Sequence, residues 1–161
     1  MRALTPVETA VAVAIGGSLL AVMVPAFVRN VHASRLAEPL EGLTRIATRA
    51  TALAAGRPAE MAYPATVELT PSSVPRGQRK VDPPGTWSHP TWRRLDFEFT
   101  VPHAFSFEFE SHNRKGLATF RARAHGDLDG DGVLSTFELG GQSKDGGQPV
   151  VTPLEVVRAI E

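Results

Sequence analysis

Residues 9–28 read TAVAVAIGGSLLAVMVPAFV and contain no charged side chain. At 1.5 Å of helix per residue, a run of this length matches the hydrocarbon core of a bilayer, which is about 30 Å thick. A signal peptide is the alternative, but its apolar region usually has about 7–15 residues and follows a basic segment. Here the run is longer, and Arg2 is the only basic residue before it. The length therefore predicts a transmembrane helix.

The composition limits the kinds of protein that this chain can be. A length of 161 residues allows about one globular domain. The absence of cysteine excludes disulfides, thiolate metal sites and a cysteine nucleophile. The net charge is zero, with a basic excess in residues 29–57 and an acidic excess in residues 95–161. Because general nucleic-acid binders carry a basic excess overall, no specific nucleic acid is predicted as a partner.

The segment Leu4-Thr5-Pro6-Val7-Glu8 leads into the apolar run, which contains Gly17 and Pro25. This arrangement resembles the N-terminus of type IV pilins and pseudopilins, where a carboxylate follows the first mature residue by four positions. The resemblance implies that residues 1–3 are a leader, with cleavage between Ala3 and Leu4 by prepilin peptidase and with methylation as a further modification. The leader is shorter than is usual in that family and ends in alanine rather than glycine.

The resemblance also implies which residues act in assembly: Leu4, Thr5, Glu8, Gly17 and Pro25. Glu8 would pair with the Leu4 amine of its own or a neighbouring subunit. The segment from Gly17 to Pro25 would unwind locally after assembly. From the residues alone, an alternative for Glu8 is a position at the lipid headgroups, where its charge complements the helix dipole.

The helix is predicted to continue beyond the membrane. Residues 4–28 form its transmembrane or filament-core half and residues 29–56 its amphipathic half, which ends at Gly56. Pro25 and Pro39 each remove a helical hydrogen bond, so kinks are expected there. An apolar stripe marks the second half and comprises Leu36, Leu40, Leu43, Ala47, Ala50 and Ala54. A coiled coil is the alternative, although the stripe lasts less than three heptads.

The remainder of the chain divides into a proline-rich region and a sheet. Residues 57–94 contain seven prolines, which predicts an ordered but irregular loop region, with a disordered linker as the alternative. From residue 95 to residue 161, apolar and polar residues alternate, which is typical of antiparallel strands. Four strands are predicted, at residues 97–99, 105–110, 120–124 and 150–157. The predicted fold is α+β, with a long kinked N-terminal helix packed on an antiparallel sheet of about four strands.

Residues 127–138 match the EF-hand loop pattern at its side-chain positions. Their predicted ligands are Asp127, Asp129, Asp131, the Val133 backbone carbonyl, Ser135 and Glu138. Hard oxygen ligands favour calcium, which would act as a structural clip between strands. No exiting helix follows Glu138, so it and Ser135 are weaker candidates than the aspartates. The alternative is a solvated acidic turn.

No catalytic pattern accompanies these features, so the chain is not expected to be an enzyme. We expect a structural subunit of a type IV pilus-like filament, stored in the inner membrane and polymerised through its N-terminal helix. Its partners would be other copies of itself and the pilus assembly machinery, and its final location an extracellular filament. A minor pilin or a type II secretion pseudopilin in the periplasm is one alternative. A membrane-anchored periplasmic calcium-binding module is another.

Overall fold

The first element, α1, is an α-helix over Pro6–Ala54 in the computed structural model. The structure describes residues 5–158, without the side chains of residues 28–35 and 158. The chain forms two compact units, Met1–Ala37 and Glu38–Glu161, and α1 contributes residues to both.

The first unit contains the apolar part of α1. The stretch Pro6–Phe27 has a mean hydropathy of 2.2, and it is long and apolar enough to cross a membrane. The predicted membrane-capable helix is therefore confirmed, although a signal sequence near an N-terminus meets the same criteria of length and composition. The helix continues through Pro25 and Pro39 without a break. The kinks expected at these two prolines stay predictions.

The second unit contains six strands and two short helices besides the end of α1. A 3₁₀ helix spans Ala59–Met61 and a short helix, α2, spans Pro90–Leu95. The strands are β1 (Val67–Thr70), β2 (Phe105–Arg114), β3 (Leu117–Gly126), β4 (Ser135–Lys144), β5 (Val150–Val151) and β6 (Glu155–Arg158).

The strands form one antiparallel sheet in the order β1-β2-β3-β4-β5, with β6 also paired to β4. The α+β class and the antiparallel sheet are confirmed, but the expected number of about four strands is wrong. Residues 97–99 form no strand, because the side chains of Phe97 and Phe99 pack in an aromatic cluster around Trp87. The predicted strand at residues 150–157 is divided into β5 and β6.

The core of the second unit lies between α1 and one face of the sheet. Phe105, Phe107 and Phe109 alternate along β2 and are buried on this face. A Cβ atom at Gly42 would lie 2.5 Å from the Phe107 ring, so glycine allows α1 to approach β2 closely. Other large, fully buried apolar side chains include Leu43, Ile46, Trp92 and Leu95.

The proline-rich region is anchored by aromatic side chains. Tyr63, Trp87 and Trp92 are all buried, and each contacts another aromatic ring. The Trp92 indole N–H donates to the Thr70 hydroxyl at 2.9 Å. These contacts attach the irregular segments before β2 to the core.

Candidate functional site

A reciprocal cap starts the apolar helix. The Glu8 carboxylate accepts hydrogen bonds from the Thr5 backbone N–H at 2.7 Å and from the Thr5 hydroxyl at 2.9 Å. The Glu8 backbone N–H donates to the Thr5 hydroxyl oxygen at 3.3 Å. This is a capping box, in which a threonine and a glutamate three residues later satisfy each other's backbone N–H groups. Glu8 therefore supports the start of α1, and both its predicted role in assembly and its alternative position at the lipid headgroups stay predictions.

The other polar side chains near the start of α1 bond to the helix itself. The Thr9 hydroxyl donates to the Thr5 carbonyl at 3.1 Å, and the Ser18 hydroxyl donates to the Ala14 carbonyl at 2.8 Å. Glu8 is the only charged residue in the sequence between Pro6 and Phe27. The apolar side chains of this stretch are exposed, with Val13 at 69% and Phe27 at 69%.

The other predicted processing and assembly residues fall into two groups. Ala3 and Leu4 lie outside the described residues, so neither the cleavage point nor a Leu4–Glu8 pair is tested. Gly17 and Pro25 lie within α1. A Cβ atom added at Gly16 or Gly17 would meet nothing within 4 Å in the described part of the chain.

The second candidate site is the loop that joins β3 to β4. Side-chain oxygens of Asp127, Asp129 and Asp131 lie within 4.8 Å of one another. Asp127 is 1% exposed, whereas the other two aspartates are exposed. Gly130 and Gly132 take positive φ angles of 84° and 91°, which let the chain turn around the three carboxylates.

Backbone N–H groups hold the aspartates in place. The two Asp127 carboxylate oxygens accept from the N–H groups of Gly130 at 2.8 Å and Gly132 at 3.1 Å. The Asp129 carboxylate accepts from the Asp131 N–H at 3.1 Å. Each aspartate thus accepts hydrogen bonds from backbone N–H groups of residues that follow it in the loop.

A segment distant in the sequence also contacts this loop. The Gly77 N–H donates to the Asp127 backbone carbonyl at 2.8 Å, and Arg76 Nε lies 4.0 Å from an Asp127 carboxylate oxygen. The sequence pattern did not identify Arg76, since nothing in the spacing of the aspartates points to a residue fifty positions earlier. The contact partly offsets the negative charge of the loop.

The remaining predicted ligands are placed differently. Val133 donates its backbone N–H to the Asp131 carboxylate at 2.7 Å. Ser135 is the first residue of β4, opposite Gly126. Glu138 lies further along β4 and its carboxylate contacts Arg121 and Arg123 at 2.8 and 2.7 Å. The group of converging carboxylates in the described residues contains the three aspartates without Glu138.

The chemistry of the three aspartates suits a hard cation. Two oxygens on one calcium ion, each at about 2.3–2.6 Å, can be at most about 5 Å apart. The observed spacing of up to 4.8 Å fits within that limit. Acidic groups at a surface also occur without any ion, so calcium binding stays a prediction.

Comparison of the chain with protein families, with curated proteins and with solved structures finds no match.

Proposed function

We propose that the chain is a structural subunit of a type IV pilus-like filament, stored in a membrane and polymerised through the first part of α1. The observation that carries this proposal is the stretch Pro6–Phe27, a helix of 22 residues whose one charged side chain, Glu8, lies at its start. Supporting observations are the α+β fold and the antiparallel sheet.

The exposed apolar side chains require a cover. Val13, Leu20 and Val22 are each more than 60% exposed in the chain alone. Burial of such side chains stabilises each by roughly 1.5–3 kcal/mol. Lipid provides the cover before assembly, and the same helices of neighbouring copies provide it in a filament. One surface thus serves for membrane storage and for polymerisation.

Glu8 supplies the specificity in this proposal. In the single chain its carboxylate is bonded to Thr5, which keeps it satisfied at the edge of the membrane. During assembly the carboxylate pairs with the Leu4 amine of its own or a neighbouring subunit. Leaving one partner of a buried ion pair without the other costs about 3–5 kcal/mol. If the amine belongs to a neighbouring subunit, a subunit in the wrong register is therefore rejected.

Two alternatives share much of this structure. A minor pilin or a secretion pseudopilin has the same type of helix and would be present in small amounts. A membrane-anchored periplasmic calcium-binding module would keep α1 permanently in lipid. In every case we propose that calcium binds at Asp127, Asp129 and Asp131 as a structural clip at the β3–β4 connection.

The first experiment compares sheared surface material with the membrane fraction. Electron microscopy and intact-mass measurement should find filaments composed mainly of this chain, with a mass that begins at Leu4. Trace amounts in filaments made of another protein would indicate a minor pilin. Retention of the whole chain in the membrane, with residues 1–3 still attached, would favour the anchored module and contradict the proposal.

A second experiment separates the two roles of Glu8. Glu8→Gln keeps a capping side chain but removes the charge, whereas Thr5→Ala disrupts the cap and keeps the charge. We expect Glu8→Gln to insert normally and to lose most of its filament yield, with a smaller loss for Thr5→Ala. Glu60→Gln, at an exposed position of the 3₁₀ helix, is the matched control. Normal filament yield from Glu8→Gln would refute the pairing.

A further inference from the structure

One end of the sheet brings together basic residues from three separate segments. The Asp145 carboxylate accepts hydrogen bonds from the Ala59 N–H at 2.7 Å and from the Gly116 N–H at 3.1 Å. It thereby joins the segment after α1, the β2–β3 turn and the segment after β4. These segments and the strand ends beside them carry four basic residues, which we call the basic end: Arg57, Arg114, Lys115 and Lys144.

The side chains of the basic end are exposed and have no ion-pair or hydrogen-bond partner within the described part of the chain. Two acidic residues, Glu60 and Asp145, lie among them, so four positive and two negative charges leave a net charge of +2. A cavity of about 380 Å³ lies beside Asp145 and is also lined by Arg57, Gly146 and Gln148. This end therefore presents a concave, positively charged surface.

The opposite end of the same strands carries the loop with the three aspartates. Asp129 and Asp131 are exposed there, and Val133 beside them is 42% exposed. Arg76 Nε lies 4.0 Å from the buried Asp127 carboxylate. Three negative charges and one positive charge leave a net charge of −2 at this end.

The two oppositely charged ends cannot meet within one chain. Strand β3 connects them through ten residues, Leu117–Gly126, which separates them by about 30 Å. Between copies, two like ends repel each other, whereas opposite ends attract. We propose that the acidic loop of one copy docks at the basic end of a second copy, in a head-to-tail contact between their second units.

This contact joins two different surfaces, so every pair of copies keeps one free basic end and one free acidic loop. Further copies can add at both, and such a contact either closes into a ring or continues as a helical filament. The inference rests on the proposed function for its place in a filament. It adds a contact between the second units to the one made by the apolar part of α1.

The test traps the contact with a disulfide, because the chain has no cysteine of its own. Gln148→Cys at the basic end and Val133→Cys in the loop change exposed, uncharged residues and leave every charge in place. Full-length copies of the two variants are mixed in excess detergent, with one chain in each micelle, and oxidised mildly. Chelator is present, because a calcium ion would cancel part of the charge of the loop.

We expect the mixed disulfide to exceed either same-variant disulfide by about tenfold, whereas unguided collision gives about twofold. The excess should disappear in about 1 M salt, where the Debye length is about 3 Å. A mixed disulfide formed only in the unguided ratio would overturn the proposal. An excess that persisted in salt would also overturn it, because the contact would not depend on charge.

Charge reversal provides the matched variants. Arg114→Glu with Lys115→Glu changes the net charge of the basic end from +2 to −2 and should remove the excess. Asp129→Lys with Asp131→Lys in the other copy changes the loop from −2 to +2 and should restore it. The control makes the same reversal at the exposed, adjacent Arg93 and Arg94 of α2 and should leave the excess unchanged. The salt dependence decides the proposal even if the loop variant fails to fold.

Other outcomes would identify a different partner or a different fault. If fluorescent polyglutamate bound the basic end while the mixed disulfide stayed at the unguided ratio, the partner would be another acidic molecule and the proposal would be wrong. Filaments of this chain without the head-to-tail contact would overturn this inference alone. Mixed disulfides in micelles, without filaments at the cell surface, would support this contact and contradict the proposed function.

Discussion

Tyr63 shows how one buried polar atom affects stability. It is the only tyrosine in the sequence, it is 2% exposed, and its hydroxyl has no hydrogen-bond partner in the described residues. The backbone at this position is well held, because the Tyr63 N–H donates to the Asn113 side chain at 3.2 Å and the Tyr63 carbonyl accepts from it at 2.8 Å. The ring packs edge-on against Phe120. The hydroxyl contributes little to this packing.

Burial raises the pKa of Tyr63 to about 12, from an ordinary value of 10.0. The folded chain therefore keeps the phenolic proton at pH values where the unfolded chain has lost it. Stability due to this group is complete below about pH 10 and is lost as the pH rises towards 12. Ultraviolet absorbance of tyrosinate, recorded with circular dichroism, should show a midpoint well above 10 while the chain is folded.

Tyr63→Phe is the matched variant for this titration. Because it removes a buried hydroxyl without a partner, we expect unchanged or slightly increased stability at pH 7. The decrease in stability between pH 10 and 12 should become smaller. A tyrosinate midpoint near 10 in the folded chain would show that the hydroxyl is accessible to water.

At the scale of elements, the polar face of the sheet contains a row of alternating charges. Arg123 on β3 lies between Glu108 on β2 and Glu138 on β4, at 2.6 and 2.7 Å. Burial alone would lower the pKa of Arg123, but hydrogen bonds and charge attraction from both carboxylates raise it above its usual range. The guanidinium therefore stays charged and joins three strands.

Replacement of Arg123 by alanine would leave two carboxylates facing each other across β3. We expect a loss of about 1–3 kcal/mol in the free energy of unfolding, since hydrogen bonds to charged groups are lost. Arg121→Ala is the control on the same strand, and its side chain is 51% exposed. It should cost less than about 1 kcal/mol, as surface pairs do. If denaturant titrations showed the same loss in the free energy of unfolding for both variants, the larger contribution assigned to Arg123 would be wrong.

Several elements show what the sequence could predict. The alternation of Phe105, Phe107 and Phe109 correctly predicted a half-buried strand, because β2 has one face in the core and one in water. Residues 97 and 99 alternate in the same way, yet tertiary packing with Trp87 decides their conformation. Strand β4 was not among the predicted strands; it contains Gly140 and Gly141, and glycine in a strand interior provides no side chain to pack.

The structure shows why β4 contains glycine at these positions. A Cβ atom at Gly141 would lie 2.4 Å from the Phe120 ring, so a strand can contain glycine where a neighbouring aromatic ring fills the position. Helix α2 did carry a local signal, with His89 as the N-cap and Pro90 in the first turn. In the loop that joins β3 to β4, the spacing of the aspartates predicted their convergence. The place of Glu138 on β4 depends on strand pairing, which local spacing does not encode.

A substitution at Gly17 in α1 tests whether assembly of the proposed filament needs more than an apolar helix. Alanine fits at Gly17 without a clash in the described chain and should favour the helix by about 1 kcal/mol. If the segment from Gly17 to Pro25 unwinds on assembly, Gly17→Ala should insert normally but give fewer filaments. Gly16→Ala has the same freedom from clashes and is the control. A filament map with an unbroken helix there would refute unwinding.

At the scale of the whole molecule, no disulfide can stabilise the second unit, because the chain contains no cysteine. Its acidic loop joins β3 to β4 and also contacts Arg76 and Gly77. A cation at this loop would therefore stabilise the central strands and the docking of a distant segment together. Without a cation, the three carboxylates repel one another within five residues of chain.

We predict that the full chain in detergent melts at a higher temperature in calcium than in chelator. Binding to the native state alone adds about 2.7 kcal/mol when free calcium is 100 times the Kd. Extracellular calcium modules bind at about 10⁻⁴–10⁻³ M, so millimolar calcium should give less than this. Asp129→Asn and Asp131→Asn keep an oxygen for the local N–H bonds but remove charge. Both should abolish the calcium effect and raise the melting temperature in chelator, since repulsion is reduced.

Glu138→Gln distinguishes between two possible calcium sites: a twelve-residue loop that includes Glu138, and a smaller site formed by the three aspartates. Its carboxylate is bonded to Arg121 and Arg123, so the variant should melt at a lower temperature with or without calcium. The increase caused by calcium should nevertheless persist, because the three aspartates remain. If Glu138→Gln abolished that increase, β4 would have to rearrange to deliver Glu138 to the ion. Equal melting temperatures of the unsubstituted chain in calcium and chelator would instead identify the loop as an acidic turn held by its own backbone hydrogen bonds.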